Sequence, residues 1–437
     1  MSDKSSEVCA PGRCGSVGEQ QQWRMARLGD VLRMSQYGLS VLGERTGRYP
    51  ILRMNCQQAG RVIMRDLQYV SISERELEQY RLADKDLLFN RTNSYELVGR
   101  TAIYRGAGDV VFASYLLRLR VDETQVLPEF LNHWLNSGDS QRALKAIATR
   151  GVSQANISAT RLRTLPVPLP PIREQAAMVN VLDRLLDRVE VSNARLSIIR
   201  QLKVAAITKL FREGLRGEPL RESEIGPIPA SWDAKPLAAV ADPRSGGTPS
   251  KQRADWWEGT VPWASPKDMK RLRLRDTEDH ITPEAADLGS RLVPPNTIFV
   301  VIRGMILAKD VPVAIAEVPM AFNQDMKALV PTGAVDPDFL LYALCARKSA
   351  LVQEIGTSAH GTRRMGSSSI EQLLVPVPKD DSEQKEIAKI LNDLDRWERI
   401  ATAKSESLGS LFHAMLHQLM TGAVRVTALD IPEVVNA

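Results

Sequence analysis

The sequence predicts an α+β protein built twice: two tandem α+β domains joined by two long antiparallel coiled-coil helices, with a pseudo-two-fold internal repeat. Three observations predict it. Anchors recur about 210 residues apart, Trp23, Leu28 and Val31 matching Trp232, Leu237 and Val240, and Pro128-Glu129-Phe130-Leu131 matching Pro337-Asp338-Phe339-Leu340. Gly151 and Gly361 are each followed, seventeen residues on, by the end of a Pro-Val-Pro triplet, and each copy then runs into Glu-Gln. Beyond the Glu-Gln pair lies a long stretch with helical periodicity.

The elements follow in order. Residues 1–22 are rich in Ser, Gly, Gln and charge and read as a flexible tail without the apolar core of a signal peptide. Residues 23–164 mix short apolar runs such as Asp86-Leu87-Leu88-Phe89 with turn residues, the pattern of an α+β domain. Within 165–213 a proline-dense collar, which cannot be helix, precedes a helix free of proline and glycine to about Arg212. Its seam is Met178, Leu182, Leu185, Val189, Leu196, Ile199, Ala206 and Leu210, a 3.5-residue period interrupted by Ser192 and Lys203. Such a helix spans on the order of 60 Å. Residues 214–231 form a linker in which the chain can turn back. The second copy places an α+β domain at 232–374, a collar and helix at 375–421 with a seam of Ile390, Leu394, Trp397, Ala401, Leu408, Leu411 and Met415 broken by Lys404, and a tail at 422–437.

Bulk composition excludes more than it assigns. Lys and Arg exceed Asp and Glu by 57 to 52, a net charge of +5, which suits a polyanionic partner without requiring one. The 4 cysteines, Cys9, Cys14, Cys56 and Cys345, form no Cys-x-x-Cys pair, which argues against a zinc knuckle or a disulfide scaffold and for a reducing cytoplasmic setting. No apolar run approaches the ~18 residues that span a bilayer. A phosphate loop is absent, as is an Asn/Asp-Pro-Pro-aromatic methyltransferase loop. His413 and His417 have ligand spacing but no third partner, and Asp380, Asp381 and Glu383 read as charge at a helix start.

Polar, cationic segments recur outside the helices. Asn90-Arg91-Thr92-Asn93-Ser94 gathers side chains able to read base edges, since Arg suits guanine and Asn adenine. Arg303-Gly304 and Asn323-Gln324-Asp325 offer a comparable set in the second copy, and Thr149 to Gln154 answers His360 to Arg364. Lys267, Lys270, Arg271, Arg273 and Arg275 read either as a ribbon presenting cations to phosphates or as a charge-protected edge strand.

Together these strings resemble the DNA-specificity subunit of type I restriction-modification systems. The resemblance is carried by Tyr49 to Met54, Phe89 to Ser94 with Glu96 to Gly99, Pro168 to Gln175, Gly246 to Ser250, Trp263 to Met269, Arg303 to Met305 and Phe322 to Lys327. It implies two target-recognition domains, each reading one half of a bipartite site in double-stranded DNA. It implies docking of two methyltransferase subunits and of restriction/translocase subunits, with no membrane contact. The chain itself would be no enzyme and bind no cofactor; S-adenosylmethionine, ATP and Mg would belong to the partners. The DNA-reading residues expected are Arg91, Asn93, Arg150, Gln154, Lys267, Arg303, Gln324, Arg363 and Arg364. The rival readings are a single-chain restriction or methylation enzyme with degenerate motifs, and a coiled-coil scaffold that does not bind DNA.

Overall fold

The computed structural model describes residues 23–353, 355–357 and 363–426. Both terminal tails expected from the sequence, as far as residues 1–22 and 427–437, lie outside these, as do His360, Gly361 and Thr362. The chain divides into two units, one of residues 1–190 and 406–437, the other of 191–405.

In the first unit a six-stranded sheet runs in the order Leu32–Tyr37, Leu116–Val121, Leu87–Asn90, Thr101–Ile103, Arg61–Val62, Gln57–Gln58. The central strand Leu87–Asn90 is buried along its whole length, as its apolar run dictates. Helix Pro128–Leu135 starts on proline, whose missing N–H costs nothing there, and buries Phe130, Leu131 and Trp134. These share one core with Met178 and Leu182 and with Leu416 and Leu419. Pairing of low with high numbers shows that the two long helices run antiparallel within this unit.

The second unit repeats the plan. Its five-stranded sheet has the order Ala241–Ser245, Met326–Pro331, Ile298–Val301, Val313–Ala316, Arg273–Leu274. Helix Pro337–Ala346 is capped by Asp336, which accepts from the Phe339 amide at 3.0 Å. Phe339 packs beside Phe211 and Trp232, with ring centroids 5.0 and 6.0 Å away.

The proline-rich collars are strands. Pro166–Leu169 pairs antiparallel with Arg24–Arg27, and Leu374–Val377 with Asp233–Pro236. Two-stranded ribbons tolerate proline because its missing donor can face away from the partner. The long helices run Ile172–Glu213 and Asp381–Thr421. The first seam follows the one predicted at Met178, Leu182, Leu196 and Leu210, which are buried, as is Ser192, but Leu186 is buried in place of Leu185, and Val189, Ile199 and Ala206 are half-buried. The second is corrected, because Ile390, Trp397 and Leu411 face outward and Lys404 is exposed. Leu394 and Ala401 are buried as expected, and Ile387 and Leu391 join them. Polar residues hold other inward positions: Glu398 meets Arg200 and Lys203, and Ser405 meets Asn193. A pattern read from apolar residues alone therefore strayed onto the outer face at Ile390, Trp397 and Leu411.

Candidate nucleic-acid interface

Each unit is locked by the same small set of contacts. Trp23 Nε1 donates to Glu174 Oε2 at 3.1 Å, and Trp232 Nε1 donates to Glu383 Oε2 at 3.1 Å, across 151 residues of sequence in both cases. Gln175 Oε1 accepts from the Leu127 amide while its Nε2 donates to the Pro170 carbonyl; Gln384 does the same with Asp336 and Pro378. The Glu-Gln pair thus fastens the start of each long helix to the α+β domain beside it. Gly422 lies under the Trp23 ring and Gly214 under Trp232, each at a φ near +70° that glycine alone adopts readily. The acidic cluster at 380–383 is accordingly split. Asp380 caps the helix through the Ser382 amide, whereas Glu383 is buried and structural.

Outside these locks the units differ. In the first, strands Thr92–Asn93, Ala155–Asn156 and Thr149–Arg150 form a small sheet that brings Arg91, Asn93, Arg150 and Gln154 together. Gln154 closes the turn through its carbonyl, 2.7 Å from the Gly151 amide. Arg150 lies over the Tyr95 ring at 3.8 Å. Arg91 lies over Tyr37 at 4.8 Å and donates to the Ser114 carbonyl and Asn156 Oδ1. Asn93 Oδ1 accepts from the Ser94 amide, and the residue lines a cleft of about 720 Å³.

In the second unit Arg303 and Arg364 are backbone partners, and the Gly304 amide donates to the Arg363 carbonyl at 3.1 Å. The Arg303 guanidinium sits 3.7 Å from Asp325, and Gln324 Oε1 accepts from the Thr248 hydroxyl. Eight of the nine expected residues thus fall in two clusters, one per unit. Lys267 stands apart, its amino group 2.8 Å from Asp279 and 3.2 Å from Glu278; the Asp279 hydrogen bond raises its pKa. The cationic ribbon does not form as a free face. Arg273 turns inward to Asp338, Asn392 and Glu317, and Arg275 pairs with Glu317. Lys270 and Arg271 remain exposed.

A further network escaped sequence reasoning. The Tyr342 hydroxyl donates to Asp395 and lies 2.9 Å from Asn392 Oδ1, and Lys203, read as a break in the seam, bonds Asp395 and Glu398. A lysine and two carboxylates at inward positions of facing heptads were the available signal. Among the described residues no group of three or more His, Cys, Asp or Glu side chains could hold a metal, and no helix is long and apolar enough to cross a membrane.

Two layered α+β domains on long paired helices, each with its own polar cluster, define a binding architecture. Residues 20–201 and 229–408 both match the type I restriction modification DNA specificity domain, and the chain belongs to that family as a DNA-specificity subunit. It is 26% identical over 430 residues to the Methanocaldococcus jannaschii protein assigned as the MjaX type I restriction enzyme specificity subunit, covering 94% of this chain and 96% of that one. The Escherichia coli EcoR124I/EcoR124II specificity subunit is 28% identical over 66% of this chain and 67% of its own. The S subunit from M. genitalium shares the fold, with a TM-score of 0.62 at 16% identity, covering 92% of this chain and 97% of that chain.

Proposed function

We propose that this chain reads a bipartite duplex target, residues 23–164 serving one half-site and 232–374 the other, while catalysis resides in partner subunits. The observation that carries the reading is the contrast just described: identical locks hold the two domains, and unlike polar clusters decorate them. A frame that repeats while its decoration diverges suits two different short sequences read at a fixed spacing. Phosphate contacts would supply affinity, and a few base-edge contacts the sequence.

The helices support the partner assignment. Val191 and Ile400 are 67% and 57% exposed, and Leu202 and Leu411 are 49% and 47% exposed. Each pair is separated by 209 residues, the same step as Trp23 to Trp232. Apolar side chains left in water at equivalent places fit two copies of one partner, which the family resemblance makes the methyltransferase subunit. Restriction/translocase subunits would join that assembly in the cytoplasm. S-adenosylmethionine, ATP and Mg would be bound by the partners.

The test is a footprint of the complex formed with the methyltransferase. Two protected tracts separated by an accessible gap are expected, and a single continuous tract contradicts the reading. Replacing Arg303, Arg363 and Arg364 by Ala should weaken one tract only; equal loss at both refutes the assignment of one domain to one half-site.

A further inference from the structure

The first unit leaves large apolar side chains in water where neither its core nor its collar uses them. Leu42, in the loop between strands Leu32–Tyr37 and Tyr49–Leu52, is 85% exposed, and Tyr115 is 44% exposed. Both line the 720 Å³ cleft, together with Arg53, Asn55 and Asn93.

The charge around this cleft is uncompensated. Arg53 is held by the Asp66 carbonyl at 3.1 Å and Arg91 by the Ser114 carbonyl at 3.3 Å, and neither forms an ion pair with a carboxylate among the described residues. Their Nε atoms are buried without a hydrogen-bond partner. Both arginines thus keep their positive charge beside the cleft, which suits a polyanionic occupant.

Duplex DNA satisfies all three features at once. Its backbone answers the arginines, and its base edges answer the Asn55 and Asn93 amides. In the major groove those edges are polar apart from one prominent apolar group, the C5 methyl of thymine. A leucine held in water among amides and arginines therefore has one natural complement there. We propose that this cleft receives the major-groove edge of one half-site and that Leu42 reads the methyl group of a thymine in it. The proposal rests on the DNA-reading assignment above and names the site and one specificity-determining residue.

The experiment uses the full chain assembled with its methyltransferase partner. Binding is measured on duplexes in which each thymine of the first half-site is replaced in turn by deoxyuridine, which lacks only the methyl group. Wild type should lose roughly fourfold in affinity at one position, the factor that burial of one methyl group supplies. Leu42→Ala should bind the parent duplex at least that much more weakly and be indifferent to deoxyuridine at the same position. An exposed leucine contributes little to folding, so loss through misfolding is not expected. If the Leu42→Ala and deoxyuridine losses simply multiply at every thymine, or no thymine responds, the methyl assignment is overturned while sequence-specific binding stands. If wild type shows no preference for its target, both assignments fall. A wedge inserted between bases would give a Leu42→Ala loss without deoxyuridine coupling, and so also overturns the proposal.

Discussion

Replacing Lys203 with Met removes the only cation in contact with Asp395 among the described residues. Asp395 and Lys203 have side chains only 9% and 19% exposed, so the carboxylate cannot regain solvent in exchange. Asp395 keeps the Tyr342 hydroxyl, and Glu398 keeps Arg200 at 2.9 Å. Breaking one side of a buried pair costs about 3–5 kcal/mol, and these surviving partners place Lys203→Met near the lower end. At about 3 kcal/mol, the unit of residues 191–405 should melt roughly 6–12 °C lower. Burial alone would lower the Lys203 pKa, but its hydrogen bond to Asp395 and the nearby carboxylates outweigh this and raise it above its ordinary 10.5. Its contribution is therefore complete below pH 10.5 and lost as pH rises through the raised value. Glu398 is opposed by burial but held below its ordinary 4.5 by Arg200 and Lys203, so its contribution is present above pH 4.5 and lost as pH falls through the lowered value. Calorimetry of wild type, Lys203→Met and the double variant Lys203→Met/Asp395→Leu at neutral pH checks the argument. The double variant should melt above the single one, because no stranded charge remains. A single-variant shift below about 2 °C, or a double variant less stable than the single, refutes the reasoning.

Two further outcomes follow from local geometry. Gly246→Ala would set a Cβ 2.3 Å from the Phe322 carbonyl oxygen and 2.6 Å from that of Asn323, both backbone atoms; a loss of about 2 kcal/mol in chemical denaturation is expected. Ser73 and Glu76 form a capping box, Ser73 Oγ accepting from the Glu76 amide at 3.3 Å and Glu76 from the Ser73 amide at 3.0 Å. Ser73→Ala should cost about 1 kcal/mol, read as faster amide exchange in Glu74–Tyr80.

What could be read from the sequence divides along physical lines. The duplication and the first seam were legible because apolar spacing encodes them directly, from Met178 through Leu210. The second seam was legible only in part, at Leu394 and Ala401, since Glu398 and Ser405 meet the facing helix through partners far off in sequence. The polar character of the segments holding Arg91, Asn93, Arg150 and Gln154 was legible from composition, while the strand pairing that gathers them was not. The fate of Lys267 and Arg273 did not, because acidic partners such as Asp338 decide it and nothing local announces them. Glu383 looked like surface charge beside Asp380 and Asp381; only its fixed distance from Trp232, equal to that of Glu174 from Trp23, marked it as buried.

The paired collars bear on how such a chain can change over time. Each α+β domain leaves its frame on one strand and returns on the neighbouring strand, Arg24 opposite Leu169 and Asp233 opposite Val377. Along the chain, everything between those strands enters and leaves through one two-stranded stem. Recombination within the stem could exchange a whole domain while keeping the tryptophan, the Glu-Gln pair and both long helices. A lineage carrying this architecture can thus acquire a new address by substitution of a cassette, with no simultaneous redesign of the long helices.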